Sequence, residues 1–97
     1  MTTFRVVRYT TRPAETAKNE DLVRAVYDEL AERAPEGFRY ATLRLGDNTF
    51  VHLAVADGES PLPQLSAFRA FQADLASRIE GPPERDEAAV VGNYRLL

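Results

Sequence analysis

The chain has no cysteine and no tryptophan, one histidine, and one lysine, Lys18. Without cysteine there is no disulfide, thiolate metal site, iron–sulfur cluster or cysteine nucleophile. The remaining metal ligands are carboxylates and His52, and no carboxylates cluster with His52 at a ligand spacing, so no metal is expected. Long apolar runs are also missing. Nothing approaches the roughly 18 residues of a membrane span, and Met1-Thr2-Thr3-Phe4-Arg5 lacks the apolar stretch of a signal peptide. A cytoplasmic protein without a membrane partner is the expectation. Basic excess is absent too: the net charge is −3 and the pI about 5.1, which speaks against a nucleic-acid partner. No Walker, G-x-G-x-x-G, G-x-S-x-G or H-E-x-x-H motif occurs, so nucleotide-binding, serine-hydrolase and zinc-protease readings have no support.

What is present is ordinary globular composition, 44% hydrophobic and 28% charged, over 97 residues. That length is one domain, 1–97. A domain this small buries only about 60–65% of its unfolded surface. With neither disulfide nor metal to staple it, oligomerisation is the expected support.

Residues 3–10, TFRVVRYT, are dense in Val, Thr and aromatics and read as a strand ended by Arg12-Pro13. Leu22, Val26, Leu30 and Ala34, flanked by Val23 and Tyr27, make an amphipathic helix that Pro35 and Gly37 stop. Its start is either Pro13 at the first position or Asn19 as a cap. Its carboxylates, among them Asp21, Asp28, Glu29 and Glu32, read as a solvated face. Residues 38–45 and 49–56 form a hairpin around the three-residue loop Gly46-Asp47-Asn48. That loop pairs Leu45 with Thr49, Leu43 with Val51 and Ala41 with Leu53 on one apolar face. The other face gathers Arg44 with Phe50, Thr42 with His52, and Tyr40 with Ala54. A second helix is expected from about Pro63 to Glu80, with Leu65, Phe68, Phe71, Leu75 and Ile79 as its stripe. A fourth strand is expected over 88–97, AAVVGNYRLL, with a bulge or close backbone approach at Gly92.

The order β-α-β-β-α-β is the ferredoxin-like split motif: an α+β fold in which a four-stranded antiparallel sheet carries two helices on one face. The Ala41, Leu43, Leu45, Val51, Leu53, Val55 face is expected beneath the helices. The Tyr40, Phe50, Ala54 face then has no cover within the chain. An uncovered apolar face marks an interface, so a homodimer through the sheet face is expected. For the first strand, Phe4, Val6 and Arg8 compete with Arg5, Val7 and Tyr9 for either side.

The tail Val90-Val91-Gly92-Asn93-Tyr94-Arg95-Leu96-Leu97, the segment from Ala34 to Leu45 and the run Thr49-Phe50-Val51-His52-Leu53 resemble the dimeric α+β barrel superfamily. Within it the chain is similar to antibiotic biosynthesis monooxygenase-like proteins, small actinobacterial members included. The resemblance implies a dimer closing an α+β barrel. It also implies cofactor-independent oxidation of a small aromatic or polyketide-like substrate, with no cofactor. The haem-degrading branch is a poor match, because its tryptophan and helical histidine have no counterpart here.

The chemistry-bearing candidates follow from the hairpin faces. His52 is the one side chain that titrates near neutrality unperturbed, and suits a general base whose activity rises through the ordinary histidine range. Tyr40 can donate to a developing oxyanion. Thr42, Arg44 and Phe50 share their face as substrate-binding candidates. Asn93 and Arg95, together on one face of the expected last strand, complete the set, the arginines favouring an anionic or enolate ligand. The reading from another class is a non-catalytic ligand-binding or stress-associated dimer.

Overall fold

The structure, a computed structural model, describes residues 2–97. Strand β1 (Thr2–Thr10) leads through a short 3-10 turn at Pro13–Glu15 into helix α1 (Thr16–Arg33). Strands β2 (Phe38–Leu45) and β3 (Thr49–Asp57) form the hairpin. A 3-10 turn at Leu62–Gln64 precedes α2 (Ser66–Ala73) and the single turn α3 (Leu75–Arg78), and β4 is Glu84–Ala88. The strands form one antiparallel sheet in the order β2-β3-β1-β4, with the helices on one face. This is the ferredoxin-like arrangement expected from the order of elements. Among the described residues, no helix is long and apolar enough to cross a membrane.

The hairpin register is the one parity predicts: Leu45 pairs with Thr49, Leu43 with Val51 and Thr42 with His52. Helix α1 ends at Arg33, and Ala34 takes a left-handed conformation (φ 45°) whose N–H bonds back to the Leu30 carbonyl at 2.7 Å. Gly37 (φ +69°) precedes β2 in left-handed backbone, and a Cβ there would lie 3.3 Å from that of Asp57.

The structure corrects three expectations. The first concerns sidedness. The face under the helices carries Tyr9, Phe50 and His52, which are 4%, 2% and 4% exposed. Phe50, Tyr9, Val23, Val26, Leu65 and Phe71 belong to one core. The open face carries Leu43 and Leu45, 50% and 45% exposed. Parity sorted the residues into the right two sets, but the helices took the set of aromatics and histidine, not the aliphatic one.

The second helix, expected to be continuous, breaks at Asp74 (φ −121°, ψ 24°), between α2 and α3. Aspartate competes for backbone hydrogen bonds and is a weak helix former. Past α3 the chain is extended: Ile79 bridges Thr11, and Glu80 N–H bonds to the Thr10 carbonyl.

The last strand lies earlier than expected, at 84–88, where ERDEA pairs with β1 at the sheet edge. A charged edge strand with a partner on one side only carries little apolar signal. The apolar segment read as that strand lies outside it, with Val91, Tyr94 and Leu96 101%, 81% and 82% exposed.

Candidate functional site

Antiparallel pairing sets the site. Tyr9 faces Phe50, Val7 faces His52 and Arg5 faces Ala54 across β1 and β3. The open choice on the first strand therefore resolves to Arg5, Val7 and Tyr9 on the helix side. Between this sheet face and the layer formed by α2 and the preceding turn lies a cavity of about 610 Å³. Its inner wall holds Tyr9, Tyr40, His52 and Phe71, while Arg5, Arg85, Glu59 and Gln72 lie on its exposed rim. A mostly apolar hollow with a few convergent polar groups is the usual form of a small-molecule site.

Both ring nitrogens of His52 are engaged. Nε2 is 2.7 Å from the Tyr9 hydroxyl. Nδ1 is 2.8 Å from the Tyr40 hydroxyl and 3.1 Å from Thr42 Oγ1, which also bonds to the Tyr27 hydroxyl at 2.8 Å. On the far side of Tyr9 the network continues into the helices. Asn19 Nδ2 donates to the Tyr9 hydroxyl at 3.0 Å, and Arg78 Nε donates to Asn19 Oδ1 at 3.1 Å. Arg78 Nη2 donates to the Phe71 carbonyl at 2.6 Å, and its guanidinium lies 5.4 Å from the Phe71 ring centre. Arg78 is 1% exposed, and its Nη1 has no partner among the described residues.

Burial sets the protonation states. It pulls the His52 imidazole down to about 4, so the ring is neutral at neutral pH. This moves the expected pH response well below the ordinary histidine range. Burial also pushes the Tyr9 phenol up to about 12, against the Asn19 hydrogen bond and the nearby Arg78 charge. The Tyr40 and Tyr27 phenols are raised for the same reason, Tyr40 also by its tyrosine neighbours. The phenols are therefore protonated at neutral pH and able to donate.

Of the residues selected from sequence, His52 and Tyr40 meet at the cavity, and Thr42 supports them from behind. Phe50 is core, stacked on Tyr9 at 5.6 Å. Arg44 lies away from the cavity, 3.7 Å from Glu20 of α1. Asn93 and Arg95 are not on a strand. Asn93 Oδ1 accepts from the N–H groups of Leu96 and Leu97, and Arg95 (φ 59°) lies over Tyr94. These four do not line the cavity. Glu29 is no free surface carboxylate, since it accepts from Ser66 N–H, Ser66 Oγ and Ala67 N–H and so ties α1 to the start of α2.

Sequence reasoning missed Tyr9, Asn19, Tyr27 and Arg78 as parts of the site. A signal existed: Asn19 is in phase with Val23 and Val26, and Arg78 with Phe71 and Leu75, as polar residues on apolar stripes.

No family model matches the sequence, and no curated protein does. Solved structures do match. Rv0793 from Mycobacterium tuberculosis is 15% identical with a TM-score of 0.77, over 96% of this chain and 98% of that one. A candidate antibiotic biosynthesis monooxygenase from Caulobacter crescentus CB15 is 18% identical at 0.74, over 94% and 91%. SnoaB, a cofactor-independent oxygenase from Streptomyces nogalater, is 20% identical at 0.66, over 97% of both. At these identities the likeness is one of fold.

Proposed function

We propose that this protein is a cofactor-independent oxygenase for a small hydroxylated aromatic or polyketide-like compound, with His52 and Tyr40 carrying the chemistry. The observation behind this reading is a neutral imidazole held between two protonated phenols on the wall of a mostly apolar cavity. The fold shared with SnoaB is consistent with it.

Because both ring nitrogens are taken, the substrate proton reaches His52 through a phenol. The acidic C–H proton passes to the Tyr9 oxygen while the Tyr9 proton moves to Nε2. The Tyr40 hydroxyl donates to the oxyanion that forms. The carbanion then gives one electron to dioxygen, and the radical pair joins as a peroxide. Protonated by the imidazolium, the peroxide loses water to leave a carbonyl. One CH₂ and one O₂ thus become one C=O and one H₂O, and the substrate supplies the electrons.

The protein acts as a homodimer in this reading. The apolar residues of the open face, Phe4, Val6, Leu43, Leu45, Val51 and Leu53, are the expected contact, in place of the Tyr40 and Phe50 face. Sedimentation equilibrium at low micromolar concentration should return twice the 10.8 kDa chain mass, and a monomer would refute the barrel.

Oxygen uptake on a panel of anthrones, without added cofactor, tests the activity. His52→Ala should lower turnover by ~10²–10⁴-fold, and Tyr40→Phe by ~10²–10³-fold. The rate should be flat from pH 5.5 to 8, because the imidazole is already neutral there. The engagement of both ring nitrogens also favours a second reading, a dimer that binds such a ligand without turnover. Absence of uptake on every substrate would select that reading.

A further inference from the structure

Among the described residues, the buried cation Arg78 has no carboxylate as a hydrogen-bond partner, and Asn19 links it to the site. Arginine can only donate, so Arg78 Nε fixes Oδ1 of Asn19 as the atom that faces it. The amide nitrogen must then face Tyr9, to which it donates. From there the chain can run two ways. In one, the Tyr9 hydroxyl donates to Nε2, and the Nδ1–H of His52 donates to Tyr40 and Thr42. In the other, Nε2–H donates to Tyr9, and Nδ1 accepts. The numbers of bonds are equal, so electrostatics decides. The first direction turns every hydrogen away from the guanidinium, the second turns the imidazole N–H toward it. In a low-dielectric interior that difference is amplified.

We propose that Arg78 and Asn19 are positioning residues that hold His52 in its Nδ1–H tautomer, leaving the Tyr40 hydroxyl hydrogen free to enter the cavity. Tyr9 and Nε2 then form the proton-accepting arm and Tyr40 the donor to an oxyanion, so the site selects a ligand able to exist as an enolate or phenolate. That ligand preference rests on the oxygenase reading, whereas the tautomer does not.

The chain has one histidine, so a long-range ¹H–¹⁵N correlation spectrum of the ligand-free protein at pH 7 reports His52 alone. The expected spectrum is that of the Nδ1–H form. Asn19→Asp is isosteric and can only accept, pairing with Arg78 and drawing the Tyr9 hydroxyl to itself. The variant should switch His52 to the Nε2–H form. Arg78→Met removes the charge and the anchor of Asn19, and should give a mixture of tautomers. A wild-type Nε2–H spectrum overturns the proposal, and so does a folded Asn19→Asp variant that keeps Nδ1–H. Should Asn19→Asp fail to fold, an unmixed Nδ1–H spectrum in Arg78→Met overturns it. Oxygen uptake is measured separately, so an inactive protein with the expected tautomers would refute the oxygenase reading and leave the positioning role standing.

Discussion

Beneath the helices Tyr9, Phe50 and His52 are almost wholly enclosed, whereas on the other face of the same sheet Leu43 and Leu45 are about half exposed. Both faces are apolar by composition. They differ in what their neighbours must supply. The helix face contains hydroxyls and an imidazole, and these can be buried only where Asn19, Tyr27 and Arg78 reach in with partners. The open face carries aliphatic side chains at its centre, with Arg8 and Arg39 beside them, and its apolar part asks only to be kept from water. Helices thus cover the face with polar demands and leave Leu43 and Leu45 on the open one.

The sharpest test of this contrast is a pair of truncations. Phe50→Ala under the helices should cost about 3–5 kcal/mol, while Leu43→Ala on the open face should cost the isolated protomer less than about 1 kcal/mol. Denaturant melts at a concentration where the chain is monomeric would measure both, and equal losses would erase the distinction. Next, acid should act through the helix face. The unfolded His52 binds a proton below about 6.5 but the folded one only below about 4. Stability is therefore complete above pH 6.5 and falls by roughly 3 kcal/mol as the pH drops to 4, then stops falling on this account. His52→Gln should remove that slope, and a slope that survives would assign it elsewhere. On the open face, Leu53→Asp should halve the sedimenting mass and leave the far-ultraviolet spectrum unchanged. The smallest effect is expected at Glu29. Its carboxyl is held below its ordinary 4.5, chiefly by the Ala67 N–H, so its contribution is present above that pH and is lost in more acid solution. Glu29→Gln should lower the melting temperature slightly at pH 7, and by progressively less as the pH falls below 4.5.

Much of this fold was legible because period and register are local. The alternation in residues 38–57 and the loop Gly46-Asp47-Asn48 determine the hairpin pairing without reference to the rest of the chain. Which side the helices take is a tertiary question. Leu43, Val51 and Leu53 would have been equally at home beneath them, so hydrophobicity could not orient the sheet. The fourth strand hid for the opposite reason: ERDEA pairs by its backbone at an edge and buries almost nothing. At the site, His52 and Tyr40 stood out by residue type. Tyr9, Asn19 and Arg78 act through contacts 10 to 59 residues apart in sequence, and only the folded chain brings those together.

Helix α2 covers the cavity with Phe68 and Phe71, yet it is eight residues long and interrupted at Asp74. A helix of that length has little persistence of its own. Its first amides are held by one carboxylate from α1, Glu29, which Arg33 steadies at 3.0 Å. The seating of α2 over the cavity is thereby tied to this latch. A change at Glu29, which does not line the cavity, would loosen that cover while leaving the groups around His52 in place.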